Sequence, residues 1–418
     1  VGRNKKKKEE GEGGECKIVS GSNREITDHQ TELPPTKLVS ISRRISQARP
    51  VFLPEMEKAV IDALRNDRFL DGENVSKFEE EFAAMVGTDY AISTNSGTSA
   101  IAFVLIAIGA NRRKCITTPW SFIATANAVI HAGGEPVFAD ISLEDFCQSP
   151  KDTEIQLKKC SEGKKGVFAI LPVHIYGQPF DFDRFDELSR KFDVPIVEDA
   201  AQAHGARYKG RRVGSLGVAA AFSFYPSKNM SVLGDGGMVT TNEEKIARYV
   251  SKLRNSGRIS RYEHDILGYT ARLNTVNAAI GRVQLRYLEE WNAKRRQIAE
   301  RYSIGLKTIE QILLPPRPTK EIEPVYHQFV IRIRNLRNGR ERLKQFLEKN
   351  EIEVGVHYPI PIHLQPLYVK MYGYKRGDFR NSEILSQECL SLPMHPFLSN
   401  EEVDYVIEKI REFFERRN

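Results

Sequence analysis

Along the chain, short and almost uniformly apolar runs alternate with longer segments whose apolar residues recur every three or four positions. The periodic segments predict helices over 54–66, 74–86 and 100–108. A further long helix begins near Val276, where Ile280, Val283, Tyr287 and Trp291 carry an apolar stripe toward Tyr302. The short runs, each closed by small or polar residues, predict strands at 90–94, 115–118, 137–140, 167–173, 195–198, 219–224 and 238–241. Strands this uniformly apolar are buried on both faces, so the pattern predicts an α/β fold with a mostly parallel central sheet covered by helices. Beyond Pro315 come a strand at 327–333, a helix at 340–350, a Pro-rich stretch at 357–367 and an amphipathic helix at 400–416. These read as a smaller C-terminal α+β domain. The expected division is a large α/β domain over 46–285 and a small domain over 286–418, bridged by the long helix. Residues 1–40 are polar, Gly-rich and aperiodic, and are expected to form a disordered or loosely attached basic arm.

Composition narrows the class. With 40% hydrophobic and 28% charged residues in 418, the chain reads as a soluble globular protein of two domains rather than a disordered or fibrous one. Its longest apolar run, 100–110, is about half of what a bilayer span needs, and no charged-then-apolar leader opens the sequence, so no membrane association is expected. Val1 in place of Met suggests a processed or trimmed product. The five cysteines (Cys16, Cys115, Cys147, Cys160 and Cys389) are odd in number and never paired as C-x-x-C. That spacing suggests neither a disulfide frame nor a zinc site and fits a reducing cytoplasm. Net charge is +7, and the first ten residues carry five basic and two acidic side chains, so much of the excess sits in the arm, which reads as solvated rather than nucleic-acid-binding.

In an open α/β sheet, ligands collect at the carboxyl ends of the strands. At the first such end, Asn95-Ser96-Gly97-Thr98-Ser99 opens directly into an apolar helix, which offers backbone N–H groups to an anion such as a phosphate, although a capped helix without ligand has the same sequence. A second end, Glu198-Asp199, can hold a cation, a metal or a protonated ring nitrogen, or can cap the next helix. No His or carboxylate cluster with ligand spacing accompanies it, so no metal is expected. The third end, Phe222-Ser223-Phe224-Tyr225-Pro226-Ser227-Lys228, puts an amine beside a buried strand, where desolvation lowers its pKa and makes it nucleophilic unless it reaches water. At the fourth, Trp120 and Phe122 are either core or a wall against which a planar cofactor stacks. A phosphate cradle, a strand-end Asp, a strand-end Lys and an aromatic wall are together the parts of a pyridoxal phosphate site.

These segments, with VHIYGQPFD at 173–181, EDAAQAHGA at 198–206, GDGGMVTT at 234–241, RNSGR at 254–258 and GVHYPIPIHLQP at 355–366, resemble the DegT/DnrJ/StrS family of sugar aminotransferases, which have the fold-type I, aspartate aminotransferase-like architecture. The resemblance covers about 46–415. It implies pyridoxal 5′-phosphate as cofactor and Lys228 as the Schiff-base lysine. Asp199 would pair with the pyridine nitrogen and Gln202 would face the ring hydroxyl. Phe122 would stack on the ring, and Gly97, Thr98 and Ser223 would hold the phosphate. His363, His174 and His327 are the candidate substrate contacts. One departure stands out: where the family has G-x-N-x-R, with an Asn reaching the phosphate of the neighbouring subunit, this chain has Gly268-Tyr269-Thr270-Ala271-Arg272.

The resemblance implies a cytoplasmic homodimer that moves an amino group, from glutamate, to the keto carbon of a nucleotide-linked sugar by a ping-pong cycle. Two alternatives stay open on the sequence. One is the same chemistry on a cyclitol or another non-nucleotide ketone; the other is a non-catalytic, cofactor-retaining regulator. The presence of Lys228 and the absence of clustered cysteines favour transamination over the dehydrating and iron–sulfur branches of the group.

Overall fold

A computed structural model of the chain describes residues 44–161 and 166–415. The expected basic arm at 1–40 and Cys16 lie outside the described residues. In chain order the elements begin with α1 (Pro54–Asn66), α2 (Glu73–Val86), β1 (Tyr90–Thr94), α3 (Gly97–Ala107), β2 (Lys114–Thr117), α4 (Ala124–His131), β3 (Glu135–Phe138), α5 (Pro150–Ser161) and β4 (Val167–Leu171). They continue with α6 (Phe182–Phe192), β5 (Val197–Asp199), β6 (Arg207–Tyr208), β7 (Arg211–Arg212), β8 (Ala219–Ser223), β9 (Gly237–Thr241), α7 (Glu244–Arg254) and α8 (Thr275–Leu306). The remainder is β10 (Ile312–Leu313), β11 (Ile322–Glu323), β12 (Phe329–Ile333), α9 (Gly339–Lys349), α10 (Pro366–Tyr372), α11 (Arg380–Glu388), β13 (Cys389–Leu392) and α12 (Asn400–Glu415). Pro54 opens α1, a position where its missing N–H costs nothing and its fixed φ suits a helix.

Two ladders, β1-β9-β8-β5 and β3-β2-β4, are joined by the parallel bridges Ile170–Ile196 and Val173–Asp199 into one sheet ordered β1-β9-β8-β5-β4-β2-β3. Parallel pairing holds for β5 with β8, β2 with β4 and β2 with β3. β9 runs against both neighbours, β1 and β8, so the sheet is mixed at that edge. Successive strand residues feed opposite cores. In β8, Ala220 and Phe222 join a core built with Phe78 and Phe82 of α2, Phe185 of α6 and Leu288 of α8. Ala219 and Ala221 join the other core, with Phe103 of α3, Val129 of α4 and Val250 of α7. A further core gathers the distal half of α8 (Ile298, Tyr302, Leu306) with β12, β13, α9 and α12. Ile45 packs into that same core and pairs with Ile352, so the described chain begins among the C-terminal elements.

Because β1, β2, β3, β4, β5 and β8 point one way, their carboxyl ends share one rim. The reversed β9 brings its amino end, and with it Asp235-Gly236, to the same rim. Approach there is close: a Cβ on Gly237 would lie 2.4 Å from the Ser96 carbonyl oxygen, so only glycine lets β9 start against the mouth of α3.

Phe82 is fully buried and meets Phe78, Phe222 and Phe224 edge-on or near it, at ring centroid distances of 6.0, 5.0 and 5.5 Å. Phe82→Ala is expected to cost about 3–5 kcal/mol, read as a lowered urea midpoint at unchanged slope.

Candidate active site

The strand ends enclose a cavity of ≈ 410 Å³ whose lining includes Gly97, Thr98, Phe122, Asp199, Gln202, Ser223, Lys228 and His327, together with Tyr176, Tyr225, His357 and Tyr358. Its size falls within the range of small-molecule sites. At one wall α3 begins. Ser96 caps it by accepting the Ser99 N–H at 3.1 Å, which leaves the Gly97 and Thr98 amides at the open first turn. A Cβ on Gly97 would sit 2.7 Å from the Ser223 Cβ, so glycine is what allows the helix start and the end of β8 to meet.

Adjacent strand residues face opposite sides, and the two acids at the end of β5 divide accordingly. Glu198 turns away from the cavity. It is fully buried and accepts from the Gly214, Leu216 and Gly217 amides at 2.9, 2.8 and 2.9 Å, and its Oε2 lies 3.0 Å from His174 Nε2. Asp199 turns toward the cavity, accepting from Thr125 Oγ1 at 2.7 Å and from the Ala201 amide at 3.1 Å. Burial pushes its carboxyl pKa up, opposed by Thr125, the Ala201 amide and the nearby Lys228. Lys228 is half-buried at the cavity; its backbone amide donates to the Tyr225 carbonyl at 2.9 Å, while its amine donates no hydrogen bond among the described residues. Its low-dielectric surroundings push its amine down to about 8, and the carboxylate of Asp199 acts in the opposite direction.

Gln202 accepts from the Tyr176 amide at 2.8 Å, and its NH2 group lies 3.3 Å from the Tyr358 hydroxyl. The Tyr176 hydroxyl receives the Trp120 indole N–H at 2.9 Å and donates to the His357 carbonyl. Phe122 is 58% exposed, an open ring on the cavity wall. His327 is held by Asn229 Oδ1 at 3.3 Å, and burial with the neighbouring cations pushes its pKa well down, so it is a neutral imidazole. His174 and His363 do not line the cavity. His174 stacks on Phe180 at 4.2 Å and serves Glu198; His363 is buried against Phe379 with its Nε2 3.1 Å from Glu383. Both imidazoles therefore orient carboxylates in the packed interior. Tyr176, Tyr225, His357, Tyr358 and Thr125 are among the cavity residues that sequence reasoning did not single out. Tyr176, Tyr225, His357 and Tyr358 fall inside the quoted segments, but only the folded geometry shows which way they face.

The DegT/DnrJ/EryC1/StrS aminotransferase family matches residues 53–411. The chain belongs to this family. Among its relatives, a pleiotropic regulatory protein of Geobacillus stearothermophilus is 36% identical over 379 residues, 90% of this chain and 98% of the relative. The dTDP-3-amino-3,4,6-trideoxy-alpha-D-glucose transaminase of Streptomyces venezuelae is 36% identical over 363 residues, covering 87% of this chain and 93% of that enzyme. The crystal structure of S. venezuelae DesV in complex with a ketimine intermediate has a TM-score of 0.82 at 36% identity, over 87% of this chain and 95% of that one. The fold is that of the fold-type I aminotransferases, and the protein is a transaminase of the DegT/DnrJ/EryC1/StrS family.

The family implies pyridoxal phosphate, and the residues present fit it. The Gly97–Ser223 approach leaves a Cβ-free cradle at a helix start, Lys228 keeps its amine free of partners, and Asp199 faces that amine across the same cavity. No group of three His, Cys, Asp or Glu side chains is placed to hold a metal among the described residues.

Labelling of Lys228 by an amine reagent in cofactor-free protein, followed by mass spectrometry, is expected to titrate with a midpoint near 8 rather than at the 10.5 of a free lysine. Asp199→Asn removes the charge that favours the ammonium, so the midpoint is expected to move lower still.

Proposed function

We propose that this family member uses pyridoxal 5′-phosphate to transfer an amino group from glutamate to the keto carbon of a nucleotide-linked sugar, as a cytoplasmic homodimer. The observation that carries the reading is the convergence of Lys228, Asp199 and the Gly97 helix start on one cavity. Gly97, Thr98 and Ser223 would hold the phosphate, Phe122 would stack on the ring, and Asp199 would keep the pyridine nitrogen protonated. Gln202, oriented by the Tyr176 amide, would face the ring hydroxyl. Bound there, the cofactor supplies an electron sink conjugated to the reacting amine.

The chain's own part is then positional and protonic. Lys228 Nζ would attach the resting cofactor and, once released, take a proton from one reacting carbon and return it to the other. An amine whose pKa lies near 8 suits both directions, because near neutrality it gives up its proton more readily than an ordinary lysine. His327 is retained as a substrate contact because it lines the cavity; His363 and His174, which do not, are removed from that set. A nucleotide-linked substrate is supported by the named activities of relatives, which include a dTDP-sugar transaminase of Aneurinibacillus thermoaerophilus that is 35% identical over 360 residues. Among the described residues no helix is long and apolar enough to cross a membrane, which is compatible with the proposed location. The regulatory reading draws support from the names of two relatives, the Geobacillus regulatory protein and a sensory transduction protein of Saccharopolyspora erythraea.

Visible absorption of the purified protein decides between them. Bound cofactor is expected to give a visible band that glutamate bleaches and a 3-keto nucleotide sugar restores. Lys228→Ala is expected to lose turnover by more than about 10²-fold, the lower end of what a positioned acid–base group supplies. A band that no amino donor bleaches would favour the regulator; bleaching reversed only by ketones without a nucleotide would move the substrate to another class.

A further inference from the structure

His327 is tied to the protein interior by a chain of hydrogen bonds whose direction is set by two backbone carbonyls, those of His204 and Val325, which can only accept. The end of the Asn292 amide that faces the His204 carbonyl at 2.8 Å is therefore its NH2, which leaves the Asn292 Oδ1 to receive the Asn229 NH2 at 2.9 Å. That same Asn229 NH2 donates to the Val325 carbonyl at 3.0 Å, so Asn229 turns its own Oδ1 toward His327 Nδ1, 3.3 Å away. Both amides are buried, and turning either one over would set oxygen against oxygen. His327 Nδ1 therefore carries a proton. Burial and the nearby Lys228 and Arg295 keep the ring neutral, and a neutral imidazole holds one proton only. Nε2 is left as a bare lone pair on the cavity wall, and no donor among the described residues meets it.

We propose that His327 is a specificity-determining residue whose Nε2 accepts a hydrogen bond from a hydroxyl group flanking the keto carbon of the acceptor. A hydroxyl side chain can rotate to donate or accept, whereas this nitrogen can only accept. A keto oxygen brought against it would meet lone pair with lone pair. The reacting carbonyl is thus turned away from His327, and the group presented to it has to be a donor, which a sugar hydroxyl is and a methylene is not. The choice of a sugar hydroxyl rests on the proposed function; the fixed tautomer does not.

Two measurements test this. In the cofactor-loaded protein with isotope-labelled histidine, nitrogen NMR is expected to show the His327 ring protonated at Nδ1 and bare at Nε2, its signals identified by their loss in His327→Asn. Asparagine places an NH2 where Nδ1 stands, so it keeps the bond to Asn229 and removes the acceptor, while His327→Gln puts an acceptor back near the Nε2 position. The second measurement is kcat/KM for a 3-keto nucleotide sugar and for its analogues deoxygenated at either flanking carbon. Wild type is expected to disfavour one analogue by about 10–100-fold, because that analogue leaves Nε2 unpaired. His327→Asn is expected to lose the preference and His327→Gln to recover part of it, with bleaching by glutamate falling far less than the return of the band. A proton found on Nε2 would overturn the proposal. So would equal use of all three sugars by wild type, or bleaching in His327→Asn slowed as much as the return of the band. Failure of the proposed function shows separately, in wild type alone: glutamate would not bleach the band, or no nucleotide sugar would restore it.

Discussion

The site is organised by the alternation of two adjacent carboxylates at the end of the short strand β5. A strand must send consecutive side chains to opposite faces, so burying Glu198 on one side obliges Asp199 to emerge on the other. Glu198 can be buried because its oxygens receive three backbone N–H groups and face one imidazole, the degree of satisfaction that a carboxylate in the interior requires. Those amides belong to the loop at 214–217 that leads into β8, the strand that ends next to Lys228. The acid facing away from the chemistry thus fixes the register of β5 against β8, in which Asp199 lies opposite Ala221. A one-residue slip would exchange the two acids, leaving the cavity with the wrong side chain and the interior with an unsatisfied charge.

The second constraint is the reversal of β9. Six strands deliver carboxyl ends to one side of the sheet, but an antiparallel neighbour delivers an amino end, and here that end is a glycine turn against the mouth of α3. Glycine at 237 and at 97 is a requirement of packing: a Cβ at either position would meet Ser96 or Ser223 at 2.4–2.7 Å. With both present, the first turn of α3, the end of β8 and the start of β9 close around one small volume whose free groups are backbone N–H donors. An anion cradle follows from that closeness, as it does at other helix starts with open amides.

Much of this was legible in the sequence, for a physical reason. Strands buried on both faces lose their polar positions, so their limits stand out, and 90–94 was read to the residue. The strand ends inherit the polar residues that the interior excludes, which is why the Gly97 helix start, Asp199 and Lys228 read as neighbours in space from separate stretches of chain, whereas Ser223 came from the family resemblance. Strand direction was not legible: an apolar run such as 237–241 looks the same whichever way it runs, so β9 was read as part of a mostly parallel sheet. Nor were the partners of histidines. His174 and His363 resemble site residues in a motif, yet each is consumed by a carboxylate 24 or 20 positions away that only the fold brings near. Tyr176 and Tyr358 enter the cavity through contacts with Gln202 that span 26 and 156 positions, beyond the reach of any local pattern.

The remaining balance is between Lys228 and Asp199. Burial alone would leave both neutral, since it lowers an amine and raises a carboxyl; their mutual attraction restores charge to each. The result is a pair poised rather than locked, because Asp199 is also anchored by Thr125 and the Ala201 amide while the Lys228 amine has no hydrogen-bond partner among the described residues. An acid fixed in place and an amine free to move are different tools. The first can define a constant electrostatic environment at one end of a planar ring, the second can swing between bonding a cofactor and carrying a proton. Phe122, an aromatic 58% exposed on the cavity wall, leaves an apolar face open, and a flat conjugated ligand would cover it at the cost of little polar desolvation. The asymmetry between the anchored and the free partner is therefore the feature of the site from which its proposed chemistry follows most directly.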